Sequence, residues 1–263
     1  MNRGNLVITN GTINVENATA IRNHGATANL VLENMTVTQT GSDVPSEWLA
    51  SAVFTSGGAT TVIKNGTYTG VSSAVIVATS GGNLTINGGT FTAEKTAARV
   101  DSWSYNSVLT INGGTFNSAN KALFADGYKY VTVNGGTFNA TIDSTYTNID
   151  IKGGTFNVSI KQPGGHQNYY NISGGTFIEN VSKVVANGYS AVDNLDGTYT
   201  VMPEGFEYVA SGLYKKGDAY HVYTVEGFKY LSAKALTGNN GVAESVSIVL
   251  EADLDMKDRK SVV

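Results

Sequence analysis

Three carboxylates, spaced about one repeat apart, are the residues of this 263-residue chain best placed to do chemistry. Asp101 closes Ala97-Ala98-Arg99-Val100-Asp101 and Asp126 closes Ala122-Leu123-Phe124-Ala125-Asp126, each 17 residues beyond the start of a recurring phrase. Asp143, closing Thr141-Ile142-Asp143, is expected in the same outward column, with Lys161 one coil further on. Carboxylates stacked about 5 Å apart on neighbouring strands repel unless a cation, a lysine or solvent intervenes. A hard cation such as Ca²⁺ prefers oxygen ligands, which makes Asp101, Asp126 and Asp143 a candidate calcium site and calcium the one candidate cofactor. The same residues also suit solvated strand ends that flank turns, with Lys161 softening the repulsion.

Beside this column the sequence places an aromatic corner. Tyr128 and Tyr146 stand three residues before their phrase starts, Tyr130 and Tyr169 one before, and Trp103, Tyr105 and His166 fall in the same turn of other coils. Flat aromatic faces edged by Asn and Ser stack on sugar rings, so Trp103, Tyr105, Tyr128, Tyr146 and Tyr169 form a candidate glycan-binding set; such rings also simply cover corner backbone. The insertion at residues 40–51, with Pro45 and Trp48, is a long loop on a regular scaffold and a second place for recognition. His24, His166 and His221 are far apart in the repeat register, and no spacing supports a zinc site or a Ser-His-Asp triad.

Columns of this kind require a chain that repeats. Between Leu6 and Phe177 an eight-residue phrase recurs eight times, hardening into apolar, polar, apolar, polar, Gly, Gly, Thr, Phe. Its copies begin at Leu6, Leu30, Thr61, Leu84, Leu109, Val131, Ile149 and Tyr170, at intervals of 24, 31, 23, 25, 22, 18 and 21 residues. That period fits one coil of a β-solenoid and is too short for propeller blades or helical-hairpin repeats. The alternation puts Leu84 and Ile86 on one face and Thr85 on the other. Stacking then predicts three inward columns, one through the phrase starts, one through Ile86, Ile111, Val133, Ile151 and Ile172, and one through Phe91, Phe116, Phe138, Phe156 and Phe177. The Gly-Gly pair permits positive φ and close backbone approach at the same corner of every coil, a place taken by Asn-Gly at Asn10-Gly11 and Asn65-Gly66. A further strand is clearest at residues 74–77, 97–100 and 122–125. Three strands in about 22 residues predict an all-β fold, a right-handed parallel β-helix of about eight coils over residues 5–186.

The Asn-Gly-Gly-Thr-Phe coils at 87–91, 112–116 and 134–138, followed by Gly188-Tyr189 and the run at 192–201, resemble the repeat-rich, adhesin-like surface proteins of gut-type bacteria. Those chains are similar in fold to pectate lyases. The resemblance covers roughly residues 5–202 and implies a structural or adhesive module at the cell surface or outside the cell. Because pectate-lyase-like enzymes hold calcium on a carboxylate stack with a nearby Arg or Lys as base, it also implies the role of base for Arg99 beside the aspartates. The alternative reading is a polysaccharide-active lyase or hydrolase, or a phage tail-spike-like glycan cleaver.

Past the coils, residues 190–201 read as two short strands joined at Leu195-Asp196-Gly197, a cap that completes a first domain at 1–202. Residues 208–222 read as a hairpin with Lys215-Lys216-Gly217-Asp218 at its tip. A helix follows, with Thr224 as N-cap, Val225, Phe228, Leu231 and Ala235 at helical spacing and Gly238 as its stop. Residues 247–255 alternate as a strand, with Ile248 and Leu250 facing one way. Residues 203–257 thus resemble the opening of a second β-helix in the same class of surface protein. Asp258-Arg259-Lys260-Ser261-Val262-Val263 is what GATCGGAAGAGCGTCGTG encodes, a string that matches a widely used sequencing adapter, and the expectation is that residues 258–263 are that junction and Met1 is internal to a longer chain.

Composition agrees with a solenoid. Charged residues are 14% of the chain, against roughly 25% in ordinary domains, and there are 31 Gly but 3 Pro. A net charge of −4 without a basic cluster argues against nucleic acid as a partner, and no apolar run approaches a membrane span. Zero Cys leaves the redox compartment open. The expected partner is a polysaccharide or a host or cell-surface glycan.

Overall fold

The computed structural model describes residues 3–46, 49–78, 81–101, 107–127, 130–145, 147–160, 170–236 and 246–254. Its main body is a parallel β-solenoid of about nine turns, close to the eight expected. Each phrase supplies one strand of a first sheet, in which the eight phrase strands lie side by side in chain order. Register follows the phrase throughout, with Leu6 opposite Leu30, Leu84 opposite Leu109, Leu109 opposite Val131, and Ile149 opposite Tyr170. The ninth turn is begun by a parallel bridge from Ile172 to Val185.

The Thr-Phe half of each phrase builds a second sheet, where eight parallel strands are closed by the antiparallel pair Tyr199–Pro203 and Tyr189–Asp193. Tyr68 and the five phenylalanines from Phe91 to Phe177 stack inside it, fully buried, with ring centroids between 4.5 and 5.2 Å apart. Outside the same strands Thr12, Thr36, Thr67, Thr90, Thr115, Thr137, Thr155, Thr176 and Thr200 stand in register.

The corner between these sheets explains why two glycines recur. At Gly136 the backbone has φ +107°, where a side chain is strained, and at Gly135 a Cβ would lie 2.7 Å from the Asn112 carbonyl of the coil below. One glycine supplies the turn and the other the close approach. Immediately before the corner an asparagine ladder forms, Asn112 donating to Asn87 Oδ1 at 2.8 Å and Asn134 to Asn112 Oδ1 at 2.7 Å. A second ladder runs through Asn117, Asn139 and Asn157. Side-chain amides stacked at the strand repeat pair with the coils above and below, as they do in cross-β assemblies.

A third sheet of six strands is built by Ile21–His24, Ser51–Ser56, Ser73–Ala78, Thr96–Asp101, Lys121–Asp126 and Thr141–Thr145. A single bridge from Ile142 to Ile160 continues it. All three sheets contribute to one apolar core that runs from Ile21 to Val201.

The chain leaves the cap into a three-stranded meander, Phe206–Ala210, Leu213–Lys216 and Ala219–Val222, one strand more than the expected hairpin. Helix α1, Val225–Leu236, starts as expected, with the Gly227 amide donating to Thr224 Oγ1 at 3.1 Å. Ser247–Leu250 then adds to Ala219–Val222 in parallel, with Ile248 and Leu250 exposed.

Candidate functional site

The candidate acids lie on the outer face of the third sheet. Asp101 and Asp126 are opposite one another on adjacent strands, as expected. Asp143 is not in their column: it stands opposite Phe124, and Thr145 is opposite Asp126. The strand Thr141–Thr145 runs two residues past Asp143, and a register irregularity between Lys121 and Leu123 absorbs one residue of the neighbouring strand. The column through Asp143 is therefore Arg22, Phe54, Ile76, Arg99, Phe124 and Asp143.

Asp101 and Asp126 end their strands, yet none of the three acids is fully solvated, Asp126 being half-buried. Asp101 is 4% exposed and Asp143 8%. Arg99 chelates Asp101 along its own strand, with Nη2 2.5 Å and Nε 3.2 Å from Oδ2. Lys121 reaches Asp143 at 2.8 Å. Both cations also pack on Phe124, the Lys121 ammonium 4.0 Å and the Arg99 guanidinium carbon 5.6 Å from the ring centroid. Among the described residues no three His, Cys, Asp or Glu side chains are grouped closely enough to hold a metal.

Further along the same face Phe54, Ile76 and Ala78 form a small apolar cluster outside the solenoid core, packed against Leu49. Leu49 belongs to the 40–51 insertion, whose end is tied down by Thr19 Oγ1 donating to the Leu49 carbonyl at 2.8 Å. That part of the insertion covers sheet; Trp48 lies outside the described residues. Within the third sheet the polar Asn23 is buried but satisfied, its amide donating to the Thr60 carbonyl at 2.8 Å and to Thr61 Oγ1 at 3.0 Å.

The aromatic set Trp103, Tyr105, Tyr128, Tyr146 and Tyr169 lies outside the described residues, as do Lys161 and His166. Tyr130, at the same corner, is described and is 73% exposed. Tyr170 turns inward and donates to the Ile142 carbonyl at 3.2 Å; burial, and secondarily the Asp143 carboxylate, push its hydroxyl above the usual tyrosine range.

Sequence reading missed the joint between cap and meander. Asn194, buried in the cap, donates to Thr198 and Thr200 at 2.9 Å and accepts from the buried Tyr214 hydroxyl at 2.8 Å. Compared with known protein families, curated proteins and solved structures, the chain matches none. Fold and geometry are thus the basis for assigning a function.

Proposed function

We infer that this chain is a non-enzymatic structural and adhesive module of a cell-surface or secreted repeat protein, a rod that holds contact surfaces for glycans at fixed spacing. The observation that carries this reading is the pairing of Arg99 with Asp101 and of Lys121 with Asp143 on the third face. General acid–base chemistry needs a carboxyl whose proton affinity is tuned and whose oxygen faces a substrate. Asp101 and Asp143 are instead engaged by Arg99 and Lys121 along the sheet, and Phe124 is packed beneath both cations. Two asparagine ladders and a continuous aromatic stack add what a rigid spacer needs. Among the described residues no helix is long and apolar enough to cross a membrane.

The enzyme reading keeps one favourable observation, the register pairing of Asp101 with Asp126 beside Arg99. Both readings are tested together by incubating the purified chain with Ca²⁺ and a panel of acidic polysaccharides while following unsaturated products by absorbance. No turnover is expected. Cleavage that Asp126→Asn abolishes would make the aspartate pair an active site and overturn the adhesive reading.

A further inference from the structure

Where the cap meets the meander, a cleft of about 500 Å³ opens at the C-terminal end of the solenoid. One wall is aromatic. Tyr208 and Tyr214 are partners on adjacent antiparallel strands, and Tyr223 follows the third strand of the meander. Tyr214 is the buried pillar, fixed through its hydroxyl to Asn194 and Thr200. Against it Tyr208 and Tyr223 stand edge-on, with centroids 6.0 and 5.7 Å away and interplanar angles of 75° and 87°. Both rings are half-buried, and among the described residues neither hydroxyl has a hydrogen-bond partner. They are held in place without being used.

The rest of the lining includes polar groups and carries one charge of each sign. Asp196, at the tip of the cap hairpin, accepts from the Thr198 amide and hydroxyl through Oδ1, which holds its carboxyl below the ordinary range. Lys152 occupies the position after Ile151 that asparagines fill in the three preceding coils, and it is exposed. A phosphate would meet Asp196, a bare cation would meet Lys152, and an apolar ligand would cover both charges without pairing either. A hydroxyl-rich ring satisfies all of these groups, its C–H face on tyrosine and its hydroxyls shared between carboxylate and ammonium.

The cleft also has an exit. Gly175, Thr176 and Thr200 line both it and a shallow trough that follows the Gly-Gly-Thr corners back to Gly89 and Thr90. We propose that the cleft between Tyr208, Tyr223 and Asp196 binds one neutral hexose unit of a linear glycan whose neighbouring units lie along this trough. The proposal rests on the reading of the chain as a glycan-contacting module and gives that reading a site distinct from the 103–169 aromatic corner.

The test is calorimetric and NMR titration of the full chain with maltohexaose, cellohexaose, mannohexaose and laminarihexaose, with hexagalacturonate as the acidic comparison. A neutral hexasaccharide is expected to bind. Tyr208→Ala and Tyr223→Ala should each weaken it about tenfold, the worth of one good stacking contact. Tyr208→Phe, which keeps the ring, should bind as the parent does. Asp196→Asn, on an exposed hairpin tip and still able to accept from Thr198, should weaken binding without disturbing the fold. Binding that all these substitutions leave unchanged would overturn the cleft while sparing the adhesive reading. If none of the neutral hexasaccharides binds the parent chain, the cleft proposal fails; loss of binding to hexagalacturonate as well would count against glycan contact altogether.

Discussion

Phe138 and Phe156, 18 residues apart in sequence, are stacked with ring centroids 4.9 Å apart and planes 4° from parallel. Offset stacking is the usual preference of aromatic pairs. Here the strand repeat imposes the parallel arrangement, since each ring leaves an equivalent backbone position one coil from the last.

Phe138→Ala should therefore cost roughly 3–5 kcal/mol, because the ring sits in mid-stack with neighbours above and below that cannot collapse into the void. Chemical denaturation of parent and variant measures this. A loss under about 1 kcal/mol would be incompatible with the buried stack.

Asn112 both donates and accepts within its ladder, to Asn87 and from Asn134. Asn112→Ala removes two hydrogen bonds at an exposed edge where water replaces them in part. The expected cost is about 1 kcal/mol, against near zero for alanine at Asn83, which is exposed and stands outside the ladder. Equal effects at the two positions would deny the ladder a role in stability.

Tyr214, beyond the cap in sequence, is tied to it, because its hydroxyl satisfies the buried Asn194. Tyr214→Phe leaves Asn194 Oδ1 without this donor and should cost about 1–3 kcal/mol in the unfolding of the cap. Hydrogen exchange at the Asn194 and Val201 amides reports it locally, and unchanged protection there would show that the joint is not mechanically coupled.

Burial raises the hydroxyl pKa of both Tyr68 and Tyr170 above the ordinary tyrosine value of about 10. A raised folded value means that the unfolded chain loses these protons first as pH climbs. The tyrosine contribution to stability is thus intact below the unfolded pKa of about 10 and is lost progressively above it. Alkaline titration followed by phenolate absorbance should show these tyrosines ionising late and together with unfolding. Early ionisation, before any loss of structure, would contradict their burial.

The repeated positions were legible in the sequence because the phrase places the same residue types one coil apart, so that register, aromatic stack and glycine corner follow from a single alignment. The cap turn at Leu195 and the helix after Thr224 were legible for local reasons, a turn sequence and a capping residue. Asp143 was misplaced because Ser144-Thr145 looks like a turn, whereas the strand continues through it. That Arg99 and Lys121 would neutralise Asp101 and Asp143 was not visible, since the pairing depends on which rotamers a shared Phe124 supports. Tyr214 and Asn194 are 20 residues apart in two different hairpins, and no periodicity announces their contact.

Among the described residues the third sheet passes from full strands to the single bridge between Ile142 and Ile160 towards the cap. Hydrogen bonds between coils run along the rod, so a pull on its two ends loads every coil-to-coil junction in series. Junctions in the middle of the rod share that load over three ladders, whereas near the cap it falls mainly on two. Under tension the rod should part first at its C-terminal coils, which makes the region around Phe156 and Phe177 a mechanical fuse for whatever the far end is holding.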